Sequence, residues 1–114
     1  MSLSFSSSVS GIQAAIKTLD ISAHNTANIN TDGYKKQLVN LKDNHSGGVV
    51  ANVTKSTEPG ALYKNGTGKM VESSNVNYTN EALAQINARF LLSVNLATIK
   101  RTDDAIGSLI DIID

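Results

Sequence analysis

The sequence predicts a mainly α-helical fold, in which long N- and C-terminal helices pair as a coiled coil and enclose a small β-hairpin or irregular middle region. Three observations predict it. Phe5, Val9, Ile12, Ile16, Leu19 and Ala23 are spaced alternately by four and three, the seam of a helix that packs against other helices. A helical period returns over the last third of the chain. Between the two lies a stretch of Gly, Asn and Asp in which that period is lost. At 114 residues the chain fits one domain, divided into residues 1–34, 35–77 and 78–114.

The first helix is expected over about residues 4–28. Opposite its seam it carries Ser6, Ser7, Ser10, Gln13, Thr18 and Ser22, with only Lys17 and Asp20 charged. Small uncharged side chains allow close backbone approach and cost little to desolvate, so this face suits burial in an assembly as well as plain exposure. The helix then runs into an Asn-rich exit. Asn28 and Asn30 tolerate left-handed backbone where the helix stops, Asp32-Gly33 supplies a turn, and Tyr34 can anchor the departing chain.

Turn formers dominate the middle: Gly47-Gly48, Pro59-Gly60, Asn65-Gly66 and Gly68. Between them lie short β-capable runs at Val49-Val50-Ala51-Asn52-Val53-Thr54, Ala61-Leu62-Tyr63 and Lys69-Met70-Val71. Asn65-Gly66 reads as the type I′ turn of a hairpin between the last two.

The second helix is expected from about Asn80 to Ile113, with Thr79 as its cap and Glu81 beside the positive end of the helix dipole. Leu92, Leu96, Ile99, Ile106, Ile110 and Ile113 form one stripe, interrupted at Asp103. Leu83, Ile86, Phe90, Val94 and Ala97 form another. Two apolar faces on one helix imply more than one neighbour. Helices of roughly 35 and 50 Å cannot cover both faces within one chain, which makes self-association the economical solution. Asp111 and Asp114 sit at the unfavourable negative end of the dipole, where fraying or a basic neighbour in an assembly offsets them.

Several function classes lose support. The chain has no cysteine and balanced charge, so no thiolate metal site exists, and no basic field is present to hold nucleic acid. Lys17, Lys100 and Arg101 make no basic face, and Lys35-Lys36 is too short for a patch. His24 and His45 lie in different regions, Asp103-Asp104 point in different directions, and Gly66-x-Gly68 lacks the rest of a dinucleotide loop. No enzyme, cofactor or metal is expected. The four glycosylation sequons, at Asn44, Asn52, Asn65 and Asn77, carry no weight in so Asn-rich a chain. Residues 1–9 form no cleavable signal, and no segment reads as long enough to span a bilayer, so no direct membrane insertion is expected.

The two ends together resemble the axial proteins of the bacterial flagellum: the rod, hook and hook-associated proteins. Their N-terminal signature is similar to A-N-N-I-A-N-x-N-T-x-G-F/Y-K, and this chain has Ala23-His24-Asn25-Thr26-Ala27-Asn28-Ile29-Asn30-Thr31-Asp32-Gly33-Tyr34-Lys35. Their C-terminal signature is similar to S-N-V-D/N-x-x-x-E, matched by Ser74-Asn75-Val76-Asn77 with Glu81. A following A-x-x-x-I-x-T-A-D helix is matched in part by residues 95–112. His24 and Thr26 stand where the family has Asn and Ile, and Arg89-Phe90-Leu91-Leu92 replaces a Q-R-A-Y run.

The resemblance implies a structural subunit of the basal-body rod, most like a short proximal one. It implies export through the flagellum's own secretion apparatus without a cleavable signal, and partners that are further copies and other axial proteins. The implied assembly seam is Val9, Ile12, Ile16, Leu19 and Ala23 with Leu92, Leu96, Ile99, Ile106 and Ile110. The implied signature turn is Asn25, Asn28, Asn30, Thr31, Asp32, Gly33 and Tyr34. The alternative is a cytoplasmic homo-oligomeric helical adaptor using the same seam, or a divergent paralogue outside the flagellum.

Overall fold

A computed structural model describes residues 2–113. In chain order its elements are α1 (Ser2–Ala27), β1 (Gln37–Asp43), β2 (Val49–Lys55), β3 (Leu62–Lys64), β4 (Met70–Glu72) and α2 (Tyr78–Ile113). The fold is therefore mainly helical, with two helices and two small antiparallel hairpins. The helices lie antiparallel. Ser22 meets Glu81 near one end of the pair, and Gly11 meets Asn95 further along. At 1.5 Å per residue α1 is about 39 Å long and α2 about 54 Å, so α2 runs on past the start of α1.

The β1–β2 hairpin lies back along α1, in a register from Gln37↔Lys55 to Asp43↔Val49. Its turn is closed by Asn44 N–H donating to Gly48 O, with Gly47 and Gly48 at φ 95 and 81. Gly48 is needed there twice over, because a Cβ would also stand 2.2 Å from Ser10 Oγ. That approach lets the neighbouring Val49 N–H donate to Ser10 Oγ at 3.1 Å. The β3–β4 hairpin pairs Leu62↔Glu72, Tyr63↔Val71 and Lys64↔Met70, and among the described residues it packs on neither helix. The molecule is a rod of 78 × 24 × 14 Å.

The interior is made of small residues. Among the described residues four hydrophobic side chains are buried, Ala14, Ala15, Ile21 and Ala88. On α1 the inward face is Ser8, Gly11, Ala15, Ser22 and Asn25. On α2 it is Glu81 and Ala88, with Gln85, Leu92, Asn95, Ile99 and Thr102 half-buried at the same heptad spacing. A Cβ on Gly11 would lie 2.6 Å from Asn95 Oδ1, which measures how closely the backbones approach.

This reverses the expected seam of α1. Phe5 and Ile16 are 47% and 53% exposed, Ala23 is exposed, and Val9, Ile12 and Leu19 are only half-buried. On α2, Leu92 and Ile99 share the inward face, whereas Leu96, Ile106 and Ile110 are exposed. The side chain of Ile113 and all of Asp114 lie outside the described residues. The physical reason is close approach: the Ser- and Gly-bearing face expected to point outward brings the backbones together and places hydrogen-bonding groups against Glu81 and Gln85. The large apolar side chains are left on the outside. The second stripe of α2 is also uncovered, with Phe90 71% exposed.

Smaller corrections follow from backbone geometry. Among the described residues no non-glycine has positive φ, so Asn28 and Asn30 do not end α1 by turning left-handed. Instead Asn28 Nδ2 donates to His24 O at 2.9 Å, satisfying a terminal carbonyl, and Gly33 at φ 72 makes the turn alone. Asn77, not Thr79, caps α2, accepting from Asn80 N–H at 3.2 Å. The hairpin expected at Asn65-Gly66 forms, but as a wider loop whose positive φ is at Gly68. There Asn65 Oδ1 accepts from Thr67 N, Thr67 Oγ1 and Lys69 N. Strand β1 was not foreseen. Nor was a membrane-length segment: by length and composition alone, α2 is long and apolar enough to cross a bilayer.

Candidate functional site

The junction between α1, β1 and α2 is built around Asn25, which is 1% exposed and the largest fully buried side chain. Its last-turn position on α1 aims the carboxamide at the chain returning after the Gly33 turn. Nδ2 donates to Gln37 O and to Glu81 Oε1, both at 2.9 Å. Oδ1 accepts from Gln37 N at 2.9 Å and from Tyr34 Oη at 2.8 Å. All four hydrogen-bonding positions of the amide are used. Toward Gln37 the side chain takes both backbone groups, as a neighbouring strand would.

Glu81 completes the link from the first turn of α2, where the dipole favours its charge. Its Oε2 accepts from Ser22 Oγ at 2.9 Å, and Gln85 Nε2 donates to Ser22 Oγ at 3.2 Å. Among the described residues no buried side-chain polar atom lacks a partner. Burial, and then the Glu81 charge, push the Tyr34 hydroxyl's pKa up, so it remains a donor to Asn25. A cleft of about 220 Å³ beside the junction is lined in part by Lys36, Leu38, Asn77 and Asn80.

A second link lies further out. Asn75 N–H donates to Tyr34 O, Lys36 N–H donates to Asn75 Oδ1 at 2.7 Å, and Asn75 Nδ2 reaches Ser56 Oγ and Glu58 O. Gly33 N–H donates to Glu72 O, and Lys35 forms an ion pair with the Glu72 carboxylate. Lys35 first, then the Gly60 N–H, hold the Glu72 carboxyl below its ordinary pKa. Tyr63 Oη donates to Asp32 at 2.6 Å, and that bond raises the Tyr63 pKa.

The structure thus brings Asn25, Asp32, Gly33 and Tyr34 into one brace with Glu72, Asn75 and Glu81. Thr31 supports Asn28 through a 3.1 Å bond to its Oδ1 and its carbonyl accepts from Tyr34 N–H, and Asn30 is exposed outside the network. Ser22, Gln37, Glu72 and Gln85 belong to it and were not anticipated, and Lys35 entered only as the last residue of the signature. One signal could have found it: an Asn inside an otherwise regular helix, where it is a poor helix former, requires a tertiary partner. The residues unusual for the resembled family have local partners. His24 packs edge-on to Tyr34 with centroids 5.8 Å apart, and Thr26 Oγ1 donates to Ser22 O and lies 3.4 Å from Gln85 Nε2.

The brace sets the Ser22 hydroxyl against the Glu81 carboxylate, both buried, and among the described residues no three metal-ligating side chains converge. Its work is positional: it fixes the angle and stagger of two helices whose large apolar side chains face outward. Compared with known proteins, the chain matches no family model and no curated protein sequence.

Proposed function

We propose that this chain is a self-assembling structural subunit of the bacterial flagellar rod, with α1 and α2 pairing as an antiparallel coiled coil. One observation carries the self-assembly: the protomer has its small residues inside and its large apolar residues outside. Its accessible surface is 7881 Å², whereas a compact monomer of 12.1 kDa exposes about 6,000 Å². A standard protein contact removes about 800 Å² from each partner, so the excess of about 1,900 Å² matches two or more neighbours per chain. A single two-fold contact would leave one of the outer stripes bare.

The flagellar assignment is supported by the two signature segments. Some forty residues apart in sequence, they hydrogen-bond through Asn25 to Glu81 and through Tyr34 to Asn75. The residues that carry the resemblance thus act on each other here as a unit. In this reading the rod of the basal body is the location, and the partners are further copies, other axial proteins and the flagellar export apparatus.

Isolation of basal bodies from cells carrying epitope-tagged protein tests the proposal, together with motility after deletion. Tagged protein should co-purify with the rod, and deletion should abolish swimming. Replacing Phe90 with Asp should prevent incorporation while leaving the α1–α2 pair folded, because Phe90 points away from it. A tag found only in the cytoplasm of normally swimming deletion-complemented cells would assign the same faces to a soluble homo-oligomeric adaptor and end the rod reading.

A further inference from the structure

The two ends of the molecule differ in charge and share exposed apolar surface. Beyond Thr102 the described charged residues of α2 are Asp103, Asp104 and Asp111, all exposed, at the negative end of the helix dipole, with Lys100 and Arg101 exposed one turn earlier. Ile106 and Ile110 continue the inward stripe of Glu81, Ala88, Leu92 and Ile99, but α1 does not reach them and they are exposed. The bare stretch continues an interface that α1 covers, fully or in part, from Glu81 to Thr102.

At the opposite end stands the β3–β4 hairpin. Since α2 accounts for about 54 Å of the 78 Å length, and β1–β2 lies back along α1, the remaining length is supplied by the hairpin end. Lys64 and Lys69 flank its loop, and Leu62 and Met70 are exposed beside them. Lys35 with Glu72 is the only ion pair among the described residues, so among them Lys64, Lys69, Asp103, Asp104 and Asp111 form no ion pair. The length of the rod keeps them apart.

We infer that the exposed end of α2 in one copy docks along the β3–β4 hairpin of the next copy. Asp103, Asp104 and Asp111 then face Lys64 and Lys69, and Ile106 and Ile110 are covered by Leu62 and Met70. The contact is heterologous, basic end to acidic end, and so propagates along an axis instead of closing a dimer. It rests on the self-assembly reading and adds the axial contact to it. The charge that sums to zero over the whole chain becomes a polarity.

Charge reversal of the full chain tests this, read by sedimentation of purified protein across a concentration series. K64E/K69E alone and D103K/D104K/D111K alone should each raise the concentration needed for assembly on the order of tenfold or more. Mixing the two variants should restore assembly, because each now offers the end the other lacks. Combining all five changes in one chain should restore it too. Circular dichroism should match wild type throughout, since every altered side chain is exposed.

Unaltered assembly of either single-end variant overturns the axial contact and leaves the rod reading standing. Failure of the mixture and of the combined variant to recover also overturns it. Wild-type protein that stays monomeric while binding phospholipid vesicles overturns it in favour of a membrane surface as the occupant. Absence from basal bodies with charge-dependent assembly intact would instead refute only the flagellar assignment.

Discussion

Removing the Asn25 carboxamide should nearly unfold the isolated protomer. Asn25→Ala leaves Gln37 N–H and C=O, the Tyr34 hydroxyl and one Glu81 oxygen without their partner, at a site 1% exposed. A stranded group costs about 1–3 kcal/mol when buried and less at the half-buried Tyr34 and Gln37, and such costs are not fully additive, so the total is about 3–5 kcal/mol. A domain of this length has about 6–17 kcal/mol of stability, and a core of three alanines and one isoleucine places this chain at the low end. Urea unfolding of monomeric protein, followed by circular dichroism, measures the loss. Glu81→Gln is the contrasting variant. Its amide keeps one acceptor for Asn25 and can donate to Ser22, whose hydroxyl turns to the Glu81 carbonyl already 3.1 Å away. That change should cost only about 1 kcal/mol, chiefly lost charge near the dipole. An Asn25→Ala loss under about 1 kcal/mol, with hydrogen exchange at Gln37 unchanged, would refute the brace.

Four further outcomes follow from the geometry. Gly11→Ala should displace the Asn95 carboxamide, which donates to Leu91 O at 2.8 Å. Adding Asn95→Ala should recover stability through a coupling of about 0.5–3 kcal/mol in a double-mutant cycle, and additive losses would contradict the close approach. The Glu72 pKa is lowered by folding, so its contribution is present above the unfolded pKa and lost as pH falls through the folded one. Lys35→Met should flatten that acid limb in thermal melts. In a phenolate absorbance titration, Asp32→Asn should bring Tyr63 back toward its ordinary pKa. Glu81→Gln should lower the Tyr34 pKa only in part, because burial is the larger cause.

The helices were legible because their apolar periods are long, and Glu81 because an acid in a first turn has a clear electrostatic reason. The face that α1 buries was not legible. Hydrophobic spacing marks the surface that seeks cover, and here that surface lies outside the protomer, while packing selects Ser8, Gly11 and Ala15 for their size. The exposed second stripe of α2 was read correctly for the same reason. Strand β1 escaped notice because Gln37, Asn40, Lys42 and Asp43 dilute its alternation of Val39 and Leu41, and its place is set by a helix side chain. Asn77 was read as part of a signature and its capping role was hidden by it. The brace joins residues far apart in sequence, and local pattern carries no record of such a meeting.

The hairpin β1–β2 is held to α1 at two points, Asn25 to Gln37 and Ser10 to Val49. Between those points α1 measures about 22 Å, and the strand from Gln37 to Asp43 spans about 20 Å. The helix and the strand thus serve as matched gauges. Deleting one residue from α1 between Ser10 and Asn25 would swing one attachment about 100° around the helix relative to the other. Deleting seven, two whole turns, would restore the angle but leave the strand about 10 Å too long. A length change in this part of the chain must therefore be matched in the helix and in both strands together, and in the strands by an even number of residues, which keeps their faces.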